Sequence, residues 1–199
     1  MPYIRYGGVE STLFSLLDAI DKEKYDVKDV IYIAGSEDNE DSNARMQMVK
    51  ESLEAHGHFL KDENIFYACW EVNLIRQYVC EHYRDKKEKL PDAFICANDQ
   101  MAMFVVLFLE QLGYRIPEDV IVTGFDNLSD GKVSYPSLAT VDQGYYKQGS
   151  ESAKLITELV TDKKSIKKSV VPCVAIPGES CGCMDCNDET ELRKKIGNR

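Results

Sequence analysis

Four short runs of uninterrupted apolar residues, each separated from the next by a segment of helical period, limit this chain more than any other feature. They are Val30-Ile31-Tyr32-Ile33-Ala34, Ile65-Phe66-Tyr67, Ala93-Phe94-Ile95-Cys96 and Val120-Ile121-Val122-Thr123. A strand with one face in water alternates apolar and polar residues, whereas a strand covered on both faces is apolar throughout, so these runs predict buried parallel strands. Helices are predicted over 9–21, 40–56, 71–85, 99–113 and 145–161. Local signals mark several boundaries: Gly35 follows the first run, Asn98-Asp99 can cap the helix that starts at Gln100, and Gly113 with Pro117 stops it. A β-α-β-α series with short links implies right-handed crossovers and helices on both faces of the sheet. The expected fold class is α/β, a doubly wound parallel sheet in three α/β/α layers. After Gly124 the rhythm changes to a loop, a strand near 138–141, the last long helix, a polar stretch over 162–168 and a final strand within 169–176.

Composition narrows the function classes. With 24 basic against 34 acidic side chains the net charge is −10, which opposes a nucleic-acid surface, since phosphate contacts need clustered Lys and Arg. No stretch approaches the roughly 18 apolar residues of a membrane span and the start carries no apolar secretion segment. Seven cysteines, an odd number, fit reduced thiols, and with them a cytoplasmic location, better than a disulfide framework.

In open parallel sheets ligands sit beyond the carboxyl ends of the strands. The polar residues there are Glu37 to Asn43 after the first run, Trp70 after the second, Asn98 and Asp99 after the third, and Asp126 and Asn127 after the fourth. An indole beside carboxylates and amides suits a small polyhydroxylated or heterocyclic molecule. The plainer reading of Asn98 and Asp99 is helix capping, and of Asp126 a turn start; local sequence leaves both open. No nucleophile elbow, phosphate loop or dinucleotide-binding turn is present, so no catalytic residue or cofactor is expected and the chain is not read as an enzyme. His56-Gly57-His58 falls at a helix end and reads as a solvated terminus. Cys181, Cys183 and Cys186 could hold zinc with Cys173 or Asp185 as fourth ligand, but paired C-x-x-C knuckles are missing, so no metal site is assigned. Cys69, Cys80 and Cys96 read as small core hydrophobes.

The blocks LPDAFICANDQMA (Leu90 to Ala102), LGYRIPEDVIVTGFDN (Leu112 to Asn127) and YPSLATVDQ (Tyr135 to Gln143), with IAGSEDNEDSNARMQMVKESLEAHG (Ile33 to Gly57), resemble the effector-binding half of the lac repressor and purine repressor family over about residues 6 to 181. The resemblance implies a type I periplasmic-binding-protein fold, two α/β lobes with a ligand between them. By motif position it implies that Asp126 hydrogen-bonds ligand hydroxyls or amines, that Asn98 lines the cleft, that Trp70 stacks on the ligand and that Gln143 approaches from the crossover. Where the family often grips its effector with Arg or Thr, this chain has Asn39, Asp41 and Asn43, which favours a neutral or cationic effector, sugars first. Arg45 matches a family arginine read as anchoring its helix.

Two departures follow. No DNA-binding headpiece and little of a first lobe precede Tyr6. The expected organisation is an effector-binding domain over 1–176, mainly the second lobe with returning first-lobe pieces at 137–161, then a Cys-bearing tail and linker at 177–199. The stripe Tyr145, Ala153, Ile156, Leu159 and Val160 would then need cover, from the rest of a longer protein or from a second copy in a homodimer. The tail also resembles the close of sensor modules fused to signalling domains. The expected function is therefore ligand sensing for a bacterial transcriptional regulator of this family by lobe closure, with DNA bound only through a domain outside this chain. The alternative is the sensor of a fused diguanylate cyclase or histidine kinase.

Overall fold

The computed structural model describes residues 27–86, 88–161 and 169–182. The predicted helix over 9–21, the polar stretch 162–168 and Cys183, Asp185 and Cys186 lie outside the described residues. Four parallel strands, β1 (Val30–Ala34), β2 (Ile65–Tyr67), β3 (Ala93–Cys96) and β4 (Ile121–Thr123), form one sheet in the order β2-β1-β3-β4. Pairing is in register from Val30 opposite Ala93 to Ile33 opposite Cys96, and from Ala93 opposite Ile121 to Ile95 opposite Thr123. All four residues of β3 are buried, as an apolar run in the middle of a covered sheet requires.

The strand order fixes where the helices lie. From β1 the chain moves one way to β2, then back past β1 to β3 and onward to β4. Right-handed crossovers in opposite directions place α1 (Glu40–Ala55) on one face and both α2 (Val72–Tyr83) and α3 (Asp99–Gln111) on the other. Consistent with this, α2 packs directly on α3. The direction reverses between β1 and β3, so the carboxyl ends of these two strands form the crevice of a doubly wound sheet. The three-layer α/β fold expected from the sequence is the one observed.

Local chemistry starts and stops the helices. Asn39 accepts from the Ser42 N–H at 2.8 Å to cap α1, whose first turn carries Glu40 and Asp41 against the positive helix end. Asn98 caps α3 in the same way through the Met101 N–H at 2.8 Å. Gly113, at φ +85°, takes the left-handed conformation that ends α3, one that costs most other residues.

Beyond β4 a short helix, α4 (Ser129–Val133), leads to β5 (Thr140–Asp142), which pairs antiparallel with β6 (Val174–Ile176) in a separate two-stranded sheet. After β6 a turn at Glu179–Cys181 packs back on β4: the Ser180 hydroxyl donates to the Val122 carbonyl at 2.6 Å and accepts from the Ala139 N–H at 2.9 Å. Helix α5 (Tyr145–Thr161) has no buried residue. Of the three cysteines read as core, Cys96 is buried, Cys80 is intermediate and Cys69 is exposed; Cys69 is turned outward because it follows β2 in the loop that presents Trp70.

Candidate functional site

Backbone strain collects at the carboxyl edge of the main sheet. Five described residues other than glycine have positive φ, and four of them stand just after strands: Cys69 (49°) and Trp70 (63°) after β2, Asp126 (117°) and Asn127 (55°) after β4. Such conformations cost about 1–3 kcal/mol each and persist only where neighbours hold them. Here the neighbours are visible. Cys69 donates its N–H to the Gly35 carbonyl at 3.2 Å and Asp126 donates its own to Val141 at 3.0 Å, while the Asn127 N–H reaches the Thr140 hydroxyl at 3.2 Å. The second sheet thus sets the aim of the GFDN turn.

Asp126 is the centre of the edge. Its Oδ1 accepts from Gln143 Nε2 at 2.5 Å and from the Tyr145 hydroxyl at 2.9 Å, and lies 3.3 Å from an Arg45 Nη atom. Its Oδ2 receives no hydrogen bond from the described residues, which leaves one carboxylate oxygen for an incoming donor. Gln143 is 2 % exposed and also donates to the Tyr145 hydroxyl at 2.8 Å. Arg45 crosses from α1, donates to the Ala97 carbonyl at 2.5 Å and lies over the Phe125 ring, 4.4 Å from its centroid. The guanidinium therefore does more than anchor its helix: it faces the carboxylate at the sheet edge. The charge of Asp126 is matched within the site.

Trp70 covers the crevice from the β2 side and is 40 % exposed. Its indole lies against Gly35 so closely that a Cβ there would fall 2.1 Å from the ring. Glycine at this position is what lets the ring come so close to the end of β1. Gly35→Ala is accordingly expected to expel the indole, seen as a red shift of the single tryptophan's emission, while the far-ultraviolet dichroism of the fold is retained; an unshifted spectrum would contradict this packing.

The remaining predicted residues divide. Asn98 lies at the start of α3, half-buried, with its side-chain oxygen committed to the cap. Asn39, Asp41 and Asn43 form the rim over β1. Asn39 is exposed and committed as the α1 cap, Asp41 is exposed, and Asn43 donates its amide to the Glu37 carbonyl at 2.7 Å. Of the seven, the structure brings Asp126 and Gln143 into direct contact, sets Trp70 and Asn98 on the same sheet edge, and leaves the three rim residues apart from Asp126. Asp99 serves the fold: fully buried, it accepts from the Leu128 N–H at 2.7 Å and from the Thr140 hydroxyl. Burial raises its pKa above the usual carboxylate value against the pull of those hydrogen bonds.

Sequence reading missed two members of the cluster, Tyr145 and the site role of Arg45. Arg45 had a signal: it falls on the helical stripe of Ser42, Val49, Ser52 and Leu53, all buried, where an unpaired cation is costly. Tyr145 had none beyond its place two residues after Gln143. Among the described residues no three His, Cys, Asp or Glu side chains gather as metal ligands, and no helix is long and apolar enough to cross a membrane.

Residues 25–181 match the model of a family described as periplasmic binding protein-like domain. The chain belongs to that family. Among characterised relatives it is 39 % identical over 75 residues to the HTH-type transcriptional regulator RegA of Clostridium acetobutylicum, covering 38 % of this chain and 22 % of RegA. It is 33 % identical over 86 residues to the HTH-type transcriptional repressor PurR of Haemophilus influenzae, covering 43 % and 26 %. The aligned segments thus span about a quarter of those relatives. In structure the domain resembles the transcriptional regulator CelR in its cellobiose complex, with a TM-score of 0.71 and 23 % identity over 87 % of this chain and 51 % of CelR. It also resembles a LacI-type transcription regulator of Bifidobacterium animalis subsp. lactis, with a TM-score of 0.72 and 20 % identity over 89 % and 66 %. The expected likeness to the effector-binding domain of lac and purine repressor relatives is therefore found by sequence and by shape.

Proposed function

We propose that this periplasmic-binding-protein-like domain senses a neutral, sugar-like effector for a transcriptional regulator, and that the effector shifts the protein between lobe arrangements read by a DNA-binding domain elsewhere in the protein. The observation that carries the reading is Asp126: a carboxylate at a strained turn, held by three donors, with one oxygen still open, on the same sheet edge as the Trp70 indole. A carboxylate oxygen and the Arg45 guanidinium together offer one acceptor and spare donors, which is the pairing a vicinal diol needs, and Trp70 offers a flat face for a sugar's apolar side. The Arg45–Asp126 pairing leaves no net positive charge to attract an anion. That a structural neighbour of 23 % identity is described with cellobiose is in line with this choice of class.

Calorimetric titration with a panel of neutral mono- and disaccharides, their phosphorylated forms and nucleobases tests the proposal. Saturable heat with a neutral sugar and none with its phosphate ester is the expected outcome; binding confined to anions or to nucleobases would overturn it.

The same reading takes residues 1–176 as mainly one lobe, with pieces of the other at 137–161, and takes α5 as a face that must be covered. Ile156 is 59 % and Val160 74 % exposed, and covering each is worth about 1.5–3 kcal/mol at most. A second copy is the cover we propose. Light scattering is expected to give a dimer that Ile156→Glu with Val160→Glu converts to monomer; a strictly monomeric wild-type chain would contradict it.

A further inference from the structure

Behind Arg45 a notch runs down between α1 and the sheet, walled by Met48, Val49, Ile95, Cys96 and Phe125 and ending at Tyr32. Tyr32 is 1 % exposed, and its hydroxyl, fully buried, has no hydrogen-bond partner among the described residues. Phenylalanine would bury the same ring in β1 without leaving a polar atom in an apolar wall. The notch has room for the centre of one water molecule, about 10 Å³, and a buried water is stable where it finds two to four polar partners. The Tyr32 hydroxyl and the Arg45 guanidinium supply two. Arginine has five N–H donors, and those assigned here use two, on the Ala97 carbonyl and on Asp126.

We infer that this notch is a built hydration site, in which one water links the Tyr32 hydroxyl to the Arg45 guanidinium, so that Tyr32 acts as a positioning residue for Arg45. The water accepts from a guanidinium N–H and exchanges a hydrogen bond with the phenol. The guanidinium is then held on four sides: by the Ala97 carbonyl, by Asp126, by the Phe125 ring and by the water. The hydration site stands on the notch alone; its bearing on effector binding rests on the function proposed above.

The test needs no effector, so its outcome is separate from that of the sugar titration. A crystal structure of the chain at high resolution is expected to show an ordered water within hydrogen-bond reach of both Tyr32 Oη and Arg45. Tyr32→Phe should lose it. In nitrogen-edited NMR the Arg45 Nε–H of Y32F should exchange with solvent about tenfold faster, the effect of removing one hydrogen bond, while the backbone amide spectrum and the melting temperature stay those of the wild type. A dry notch in the wild type, or Arg45 exchange unchanged in Y32F, would overturn the inference. If Y32F fails to fold, the wild-type density decides.

Discussion

Asp126→Ala is expected to weaken effector binding by about 10- to 150-fold, because a hydrogen bond to an ionised group is worth about 1.5–3 kcal/mol and the effector loses its charged acceptor. The fold should survive. Gln143 and Tyr145 still bond to each other, and Arg45 keeps the Ala97 carbonyl and the Phe125 ring. Arg45 is 19 % exposed at its side chain, so water can replace part of what the carboxylate supplied. The measurement is a titration of wild type and D126A against the tightest-binding sugar of the panel, with thermal melting as control. Equal affinities would remove Asp126 from the site, whereas a lost fold would show that its three partners matter first for stability.

Asp99→Ala is expected to act in the opposite sense, costing stability where D126A costs binding. It leaves the buried Thr140 hydroxyl proton without its acceptor, although its oxygen still accepts from the Asn127 N–H, and takes the acceptor from the part-buried Leu128 N–H; an unpaired buried group costs about 1–3 kcal/mol. The crowding beside Gly124, where a Cβ would fall 2.3 Å from Asp99 Oδ1, shows how tightly the carboxylate is enclosed. The pH dependence follows from its raised pKa. Between the ordinary carboxylate pKa of the unfolded chain and the raised value, the folded state holds the proton and the unfolded state does not. This group's contribution to stability therefore falls as pH rises through that window and is recovered in full below it. Asp99→Asn, which keeps an acceptor for Leu128 without the charge, should cost less than alanine and flatten this part of the profile. Denaturant melts of the three proteins across the acidic range measure it; a D99N profile parallel to the wild type would contradict the assignment.

What could be read in the sequence follows from how local each cause is. The β1, β3 and β4 runs were legible because burial on both faces writes an apolar residue at every position. The caps at Asn39 and Asn98 were legible because each acts within three residues. Parallel order and crossover hand then brought Trp70, Asn98 and Asp126 to one edge without further information. The place of Arg45 on the buried stripe of α1 left a local trace, but its partners did not, because Ala97 and Asp126 are 52 and 81 positions away. The second sheet was legible only as two apolar stretches, since the register of β5 on β6 depends on a long connection through α5. Asn98 and Asp99, left between capping and binding by the sequence, are separated by burial: the first stays half-buried at the crevice, the second is enclosed.

The most direct test of the central claim uses Trp70, the only tryptophan. Its fluorescence, titrated with the neutral sugars of the panel under reducing conditions, should change saturably with one of them. The same titration should be flat in D126A, whose indole is untouched. Silence across the sugars in a folded wild-type chain, or a response that D126A retains in full, would contradict the account of a sugar-sensing crevice between Trp70 and Asp126.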